Sequence, residues 1–231
     1  MKNILIVGSS SGIGKTLSGL LAEDHRIYGT FFKNGSISGH HNLTLHHLDV
    51  LDGNNDYSFL PEVLDGLVYC PGAINLKPFS RAKDEDFLED YNLQVLGAVR
   101  CIQSCLSRLK KSNAPSIVLF STVAVKTGFN FHSIVSTNKG AVEGLTKALS
   151  AELAPTIRIN CIAPSITNTP LAAGLLNTPE KIEANAQRHP LKKIGTPEDI
   201  AHMAAYLLSD KSGWITGQVF NVDGGISTIK I

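Results

Sequence analysis

Short apolar runs alternating with helix-length segments constrain the fold of this chain more than any other feature. The runs are Ile4–Val7, Arg26–Thr30, Leu43–His47, Gly66–Tyr69, Ser116–Phe120, Ile157–Cys161 and Gln218–Asn221. They are rich in Val, Ile and Leu, the composition of strands buried on both faces. Helical periodicity occupies about 13–22, 84–111, 134–153 and 197–208 between them. Thr196-Pro197-Glu198-Asp199 opens the last of these with a capping threonine, a first-turn proline and two acids at the positive end of the helix dipole. Parallel strands need right-handed crossovers. The alternation therefore predicts an α/β fold: a doubly wound parallel sheet between two helical layers, an α/β/α sandwich. Gly53–Asp65 is short for a crossover helix, so that connection is expected to be trimmed.

At 231 residues, with no linker or repeat, the chain is expected to form one domain over 1–231. A chain of that size buries an adequate core without metals or disulfides. Its 21 basic and 20 acidic residues give a net charge of +1 with no basic block, which argues against nucleic acid as a partner. The cysteines, Cys70, Cys101, Cys105 and Cys161, form no CxxC pair, and no His or Asp completes a metal-ligand set around them. Reduced thiols and a cytoplasmic location are the simplest expectation. The apolar run Ile4–Val7 is too short for the core of a secretion signal. No stretch approaches the ~18 apolar residues of a membrane span, so no membrane partner is expected.

The first run leads into Gly8-Ser9-Ser10-Ser11-Gly12-Ile13-Gly14. A dinucleotide diphosphate needs main-chain N–H groups aimed at it and a helix N-terminus behind them. Gly8 suits the tight turn, Gly12 lets the backbone approach the phosphates, and Gly14 lets the helix pack on the strand. Ser10, Ser11 and Ile13 complete this candidate phosphate site, which makes the expected sheet a Rossmann-type one. On its own the segment also fits a flexible strand–helix loop. A third reading comes from Gly14-Lys15-Thr16, which ends like the P-loop of a nucleotide hydrolase. The opening glycine of that motif would fall on Ser9, however, and no convincing magnesium-binding Asp follows a later strand.

Further segments share one ordered pattern. They are Leu48-Asp49-Val50, Tyr69-Cys70-Pro71-Gly72-Ala73, Asn92 in Tyr91-Asn92-Leu93, Asn160-Cys161-Ile162-Ala163-Pro164-Ser165, Pro190–Asp199 and Ile215–Gly225. Together with the glycine turn they resemble the short-chain dehydrogenase/reductase family almost end to end. The resemblance implies a nicotinamide dinucleotide as cofactor and a small carbonyl or alcohol as substrate. It places the adenine near Asp49 and Val50, and the strand end Cys70, Pro71 and Gly72 beside the cofactor. Pro164, Ile166 and Thr169 would meet the carboxamide. It implies a substrate-covering flap over Leu171–His189. It also implies a homodimer or homotetramer contacting through the helix at 134–153 and the C-terminal segment. Taken singly, Asp49 fits a turn cap equally well, and Asn221–Gly225 fits scaffolding.

The family's acid–base tyrosine lies four residues before a lysine, whose ammonium lowers the phenol pKa. Here the lysine is Lys139, which the resemblance also assigns to the ribose, and four residues earlier stands Val135. The family serine, thirteen before the tyrosine, falls on Thr122, with Ser121 beside it, and the helix asparagine is Asn92. Three explanations follow. Another group supplies the proton, His132 being the nearest titratable side chain, seven before Lys139 and on the tyrosine position of the enoyl reductase branch. Alternatively, water supplies the proton. The third is a cofactor-binding sensor or assembly protein without turnover. A surface-loop histidine is the ordinary reading of His132. At the end of the second strand, Gly29-Thr30-Phe31-Phe32-Lys33-Asn34 lacks the acid that selects NAD, while Lys33 suits a 2′-phosphate. NADP(H) is therefore expected over NAD(H).

Overall fold

The computed structural model describes residues 1–35 and 39–230. Its strands are β1 (Asn3–Val7), β2 (Arg26–Phe31), β3 (Leu43–His47), β4 (Gly66–Tyr69), β5 (Ser116–Phe120), β6 (Arg158–Pro164) and β7 (Val219–Val222). They form one sheet in the order β3-β2-β1-β4-β5-β6-β7, with every neighbouring pair parallel. The helices are α1 (Gly12–Leu21), α2 (Asp84–Tyr91), α3 (Gly97–Leu109), α4 (Ser133–Leu153), α5 (Pro179–Gln187) and α6 (Pro197–Leu208).

The pleat of β1 divides the core into two layers. Leu5 and Val7 pack with Cys101 and Cys105 of α3 and Val142 of α4. Ile4 and Ile6 point the other way, onto Leu17 of α1 and Ala204 and Leu207 of α6. Successive side chains of a strand face opposite sides, so a fully apolar run is what a sheet covered on both faces requires. The expected Rossmann-type α/β/α arrangement is therefore present. The chain order reverses at β1, between β2 and β4, and this leaves a crevice beyond their carboxyl ends.

Three departures from the periodicity have local causes. The helical pattern at 84–111 is divided into α2, a π turn at Asn92–Leu96 and α3, with Tyr69 of β4 packed against the break. Such a bulge releases a main-chain carbonyl from the helix ladder. β6 runs on to Pro164 because Ala163 and Pro164 pair with Asn221 and Val222. Within the segment Leu171–His189, expected to be a flap, lies a true helix, α5, started by Thr178, whose hydroxyl accepts the N–H of Lys181 at 3.3 Å, and by Pro179.

Other local signals hold. Gly53–Asp65 contains turns and no helix. Thr196 and Asp199 form a reciprocal capping box at α6: Thr196 N–H donates to the Asp199 carboxylate at 2.9 Å, and Asp199 N–H donates to Thr196 Oγ1 at 3.2 Å. Among the described residues no helix is long and apolar enough to cross a membrane.

Candidate active site

The turn after β1 is pinned to β2. Gly8 N–H donates to Thr30 Oγ1 at 3.1 Å, and Ser9 N–H to the Thr30 carbonyl at 2.8 Å. Gly8 and Gly12 have φ of +79° and +52°, a region that favours glycine. A Cβ on Gly14 would collide with the carbonyl oxygen of Gly8, so α1 and the turn touch backbone to backbone. Ser11, at the N-cap of α1, makes no side-chain cap bond, and the first turn of α1 carries no acid. Its leading N–H groups therefore face the crevice with a positive pole and no competing side-chain oxygen. This cradle, with glycine at Gly8, Gly12 and Gly14 and no acid at the start of the helix, fits a dinucleotide diphosphate.

The cradle adjoins a cavity of about 430 Å³. A Cβ on Gly12 would lie 3.4 Å from the side chain of Thr169, which lines that cavity. Of the residues singled out in the sequence, Ile13, Cys70, Gly72, Ser121, Thr122, His132, Lys139, Pro164, Ile166 and Thr169 all line it. Val135 lines it too, so the position four before Lys139 faces the cavity with an alkyl group. Gly8, Ser10, Ser11, Gly12 and Gly14 form the adjoining turn, and Pro71 packs 3.3 Å from where a Gly8 Cβ would stand.

Lys139 is buried, and its ammonium donates to the carbonyl of Phe120 at 2.8 Å. Burial pulls its pKa down to about 8, against the opposing pull of Cys161 and Asp90. Asp90 is itself buried and accepts from Gln94 Nε2 at 2.6 Å and Asn138 Nδ2 at 2.8 Å. Among the described residues, Gln94 Oε1 and Asp90 Oδ1 are buried without a hydrogen-bond partner. A Cβ on Gly72 would sit 3.4 Å from Gln94 Oε1 and 3.6 Å from Lys139 Nζ. Acceptor and ammonium thus flank one glycine at the cavity wall, a polar patch suited to ribose hydroxyls. The Cys70 thiol is pushed up to about 12 by burial, so it is a neutral wall rather than a nucleophile.

The two candidate hydroxyls are held differently. Ser121 Oγ donates to the Glu143 carboxylate at 2.6 Å and is tied down by it. Thr122 Oγ1 accepts the N–H of Ala124 at 3.3 Å, which leaves its own O–H free to donate. His132 is the N-cap residue of α4, with Nδ1 2.8 Å from the Asn130 carbonyl and its ring beside Phe129.

Four expected residues lie away from the cavity. Asn92 sits in the π turn, where its carbonyl accepts the Gly97 N–H. Asp49 caps its own turn, Oδ1 accepting Leu51 N–H at 3.0 Å, and Val50 packs on the core. Lys33 is exposed beyond β2, 5.9 Å from the Phe32 ring centroid. Sequence spacing gave no reason to single out Asp90, Gln94 or Asn138. Nor did it link Ser165 with His189, 24 positions on, although the two meet at 2.8 Å and both line the cavity.

The family model described as enoyl-(acyl carrier protein) reductase matches residues 59–227. The 3-oxoacyl-[acyl-carrier-protein] reductase of Thermotoga maritima is 31% identical over 246 aligned positions, covering 97% of each chain. A tropinone reductase homolog of Arabidopsis thaliana is 36% identical over 152 residues, 65% of this chain and 58% of that protein, so the match spans little more than half of that relative. The NADPH-bound structure of a Tyr-to-Phe point variant of ElxO superposes with a TM-score of 0.88 at 28% identity, covering 99% of this chain and 100% of that one. With a match this long in sequence and in fold, the chain belongs to the short-chain dehydrogenase/reductase family.

Proposed function

We propose that the protein moves a hydride between a nicotinamide dinucleotide and a small carbonyl or alcohol, and that it does so with Val135 in the place of the family's tyrosine. The observation that carries this reading is the glycine cradle at the end of β1 opening onto the cavity that holds Lys139. When bound, the nicotinamide supplies or takes up the hydride.

The chain's own residues divide the remaining work. Main-chain N–H groups of the turn Gly8–Gly14, with Ser10, Ser11, Gly12 and Ile13, hold the diphosphate. Asp49 and Val50 border the adenine, and Cys70, Pro71 and Gly72 the ribose side. Lys139 bonds the nicotinamide ribose from one side of Gly72, with Gln94 on the other. Pro164, Ile166 and Thr169 orient the carboxamide. Thr122 donates its free hydroxyl to the substrate oxygen, while Ser121 is occupied by Glu143. Asn92 acts at one remove, through the π turn that sets the path of the helix behind Lys139. Lys33 favours NADP(H) by meeting the 2′-phosphate; the NADPH- and NADP-bound structures of ElxO are consistent with that preference.

A second reading, a nucleotide-binding protein without turnover, has Val135 in its favour. Fluorescence titration with NADPH, NADH and ATP, joined to a carbonyl panel assayed on the natural protein and on Val135→Tyr, separates the two. The proposal expects tight NADPH binding, no ATP binding and turnover by the natural protein. NADPH binding with turnover only in Val135→Tyr would favour the second reading. ATP binding alone would favour a P-loop hydrolase.

A further inference from the structure

β6 ends at Pro164, and the next residue is Ser165, where the resembling family segment has glycine. Its backbone is fixed on both sides: Ser165 N–H donates to the Val222 carbonyl at 3.3 Å, and its own carbonyl accepts Thr167 Oγ1 at 2.9 Å. Facing it is His189, 2% exposed, just beyond α5. The imidazole is held at both nitrogens. Nδ1 lies 2.8 Å from the carbonyl oxygen of Asn185, and Nε2 lies 2.8 Å from Ser165 Oγ. A carbonyl can only accept, so Nδ1 carries the hydrogen and Nε2 of the neutral ring presents its lone pair to the serine. The C-terminal turn closes the other side of the ring: Gly224, at φ +59°, comes so near that a Cβ there would stand 3.4 Å from His189 Cδ2.

Ser165 and His189 both line the cavity shared by Thr122, Val135 and Lys139. His189 borders two cavities: Lys139, Lys181 and Arg188, with His132 and Cys70, line the first, and Lys193, Asp199 and Asp223 line a second, smaller one. Among the described residues neither ring nitrogen bonds to any of them. The pair is thus an oriented imidazole behind a half-buried hydroxyl, the arrangement that lets a hydroxyl give up its proton.

We propose that Ser165, backed by His189, exchanges the proton with the substrate oxygen that the family's tyrosine otherwise exchanges; this rests on the hydride-transfer reading above. In alcohol oxidation, the substrate O–H proton passes to Ser165 Oγ as the serine's own proton moves to His189 Nε2. The O–H bonding pair becomes the second bond of the carbonyl, and the carbinol hydrogen departs with its electron pair to the nicotinamide. The ring ends as imidazolium, donating to Asn185 O and Ser165 Oγ. Carbonyl reduction runs the same proton path in reverse. Ser165 is the catalytic residue of the pair, and His189 positions and charges it.

Two measurements test this, one of them without nucleotide. A fluorophosphonate probe should label Ser165, its Oγ bonding to phosphorus, fluoride leaving and His189 taking the proton. Peptide mapping should find no label in Ser165→Ala, and labelling in His189→Gln should slow at least ~10-fold. With NADPH and a panel of small aldehydes and ketones, kcat should fall ~10²–10⁴-fold in Ser165→Gly, while the NADPH dissociation constant stays within about twofold. Ser165→Gly restores the family's residue, so the fold is expected to survive even if His189→Gln does not. Adding Val135→Tyr to Ser165→Gly should rescue turnover. Absence of label on Ser165, an unchanged labelling rate in His189→Gln, or an unchanged kcat in Ser165→Gly would each overturn the pair. Absence of NADPH binding by the natural protein would overturn the hydride reading and, with it, the proton path, while the labelling still reports separately on the pair's chemistry.

Discussion

The hydroxyl of Tyr69 donates to the carbonyl oxygen of Leu93 at 2.6 Å, and it occupies the notch that Gly97 leaves by having no side chain. A Cβ on Gly97 would collide with that hydroxyl. The end of β4 is thereby locked to the π turn that carries Asn92. Gly97→Ala should destabilise the protein by ~1–3 kcal/mol through overpacking. Tyr69→Phe should cost about 1 kcal/mol by removing one hydrogen bond. In Gly97→Ala/Tyr69→Phe the clash is relieved in part, so the losses should fall short of additive. Urea unfolding of the three variants checks this, and strict additivity would dissolve the coupling.

Gly14 is the turn's tightest point, backed against the Gly8 carbonyl. Gly14→Ala must move α1 away from the turn and spread the N–H groups meant for the diphosphate. We expect the NADPH dissociation constant to rise at least ~10-fold, about 1.4 kcal/mol, with circular dichroism unchanged. Unchanged affinity, measured by NADPH fluorescence, would mean that the diphosphate does not rest on this turn.

The buried Lys139 makes stability rise with pH. Its folded value is pulled from 10.5 to about 8, chiefly by burial. Below pH 8 both folded and unfolded chains carry the proton, and the folded chain bears the cost of a buried ammonium. Between the two values the folded chain sheds the proton first, so unfolding takes up a proton and stability increases with pH. Relative to Lys139→Met, the natural protein should gain on the order of 2 kcal/mol between about pH 7 and about pH 9.5. Urea unfolding at both pH values, with no nucleotide added, reads the difference. A flat difference would place the titration elsewhere.

Lys33 stands exposed just past β2. Lys33→Ala should weaken NADPH by roughly 1 kcal/mol or somewhat more and leave NADH within about twofold, since only the former carries a 2′-phosphate. The weakening should shrink at high salt. Equal losses for both nucleotides would remove the lysine from the phosphate.

Trp214, the chain's one tryptophan, is 101% exposed. An indole left wholly in water suits a surface that another copy covers, and the family resemblance implies a contact through the C-terminal segment. Its fluorescence should shift to the blue as concentration and solution mass rise together. A mass that doubles without an emission shift would put the contact on another surface.

Several features of this site were legible in the sequence because their causes are local. The strand runs show where a covered sheet needs apolar residues on both faces, and β1 does face two cores. The glycine turn was legible because tolerance of the positive φ seen at Gly8 and Gly12 is a property of glycine itself. The spacing that brings Thr122, Val135 and Lys139 to one cavity survives because Thr122 lies just past the end of β5 and a single helix, α4, carries Val135 and Lys139.

Tertiary structure decided what depends on elements distant in sequence. Nothing near Ser121 foretells that Glu143, one helical turn beyond Lys139, captures its hydroxyl, or that the break at Asn92–Leu96 answers a tyrosine on β4. Ser165 and His189 belong to a strand end and to the residues after α5, and they meet only because the chain after α5 returns to the end of β6, where the Gly224 turn also touches the ring. Periodicity and motif spacing describe what a segment prefers. The tautomer of a buried imidazole is fixed by which carbonyl and which hydroxyl the whole chain brings to its two nitrogens.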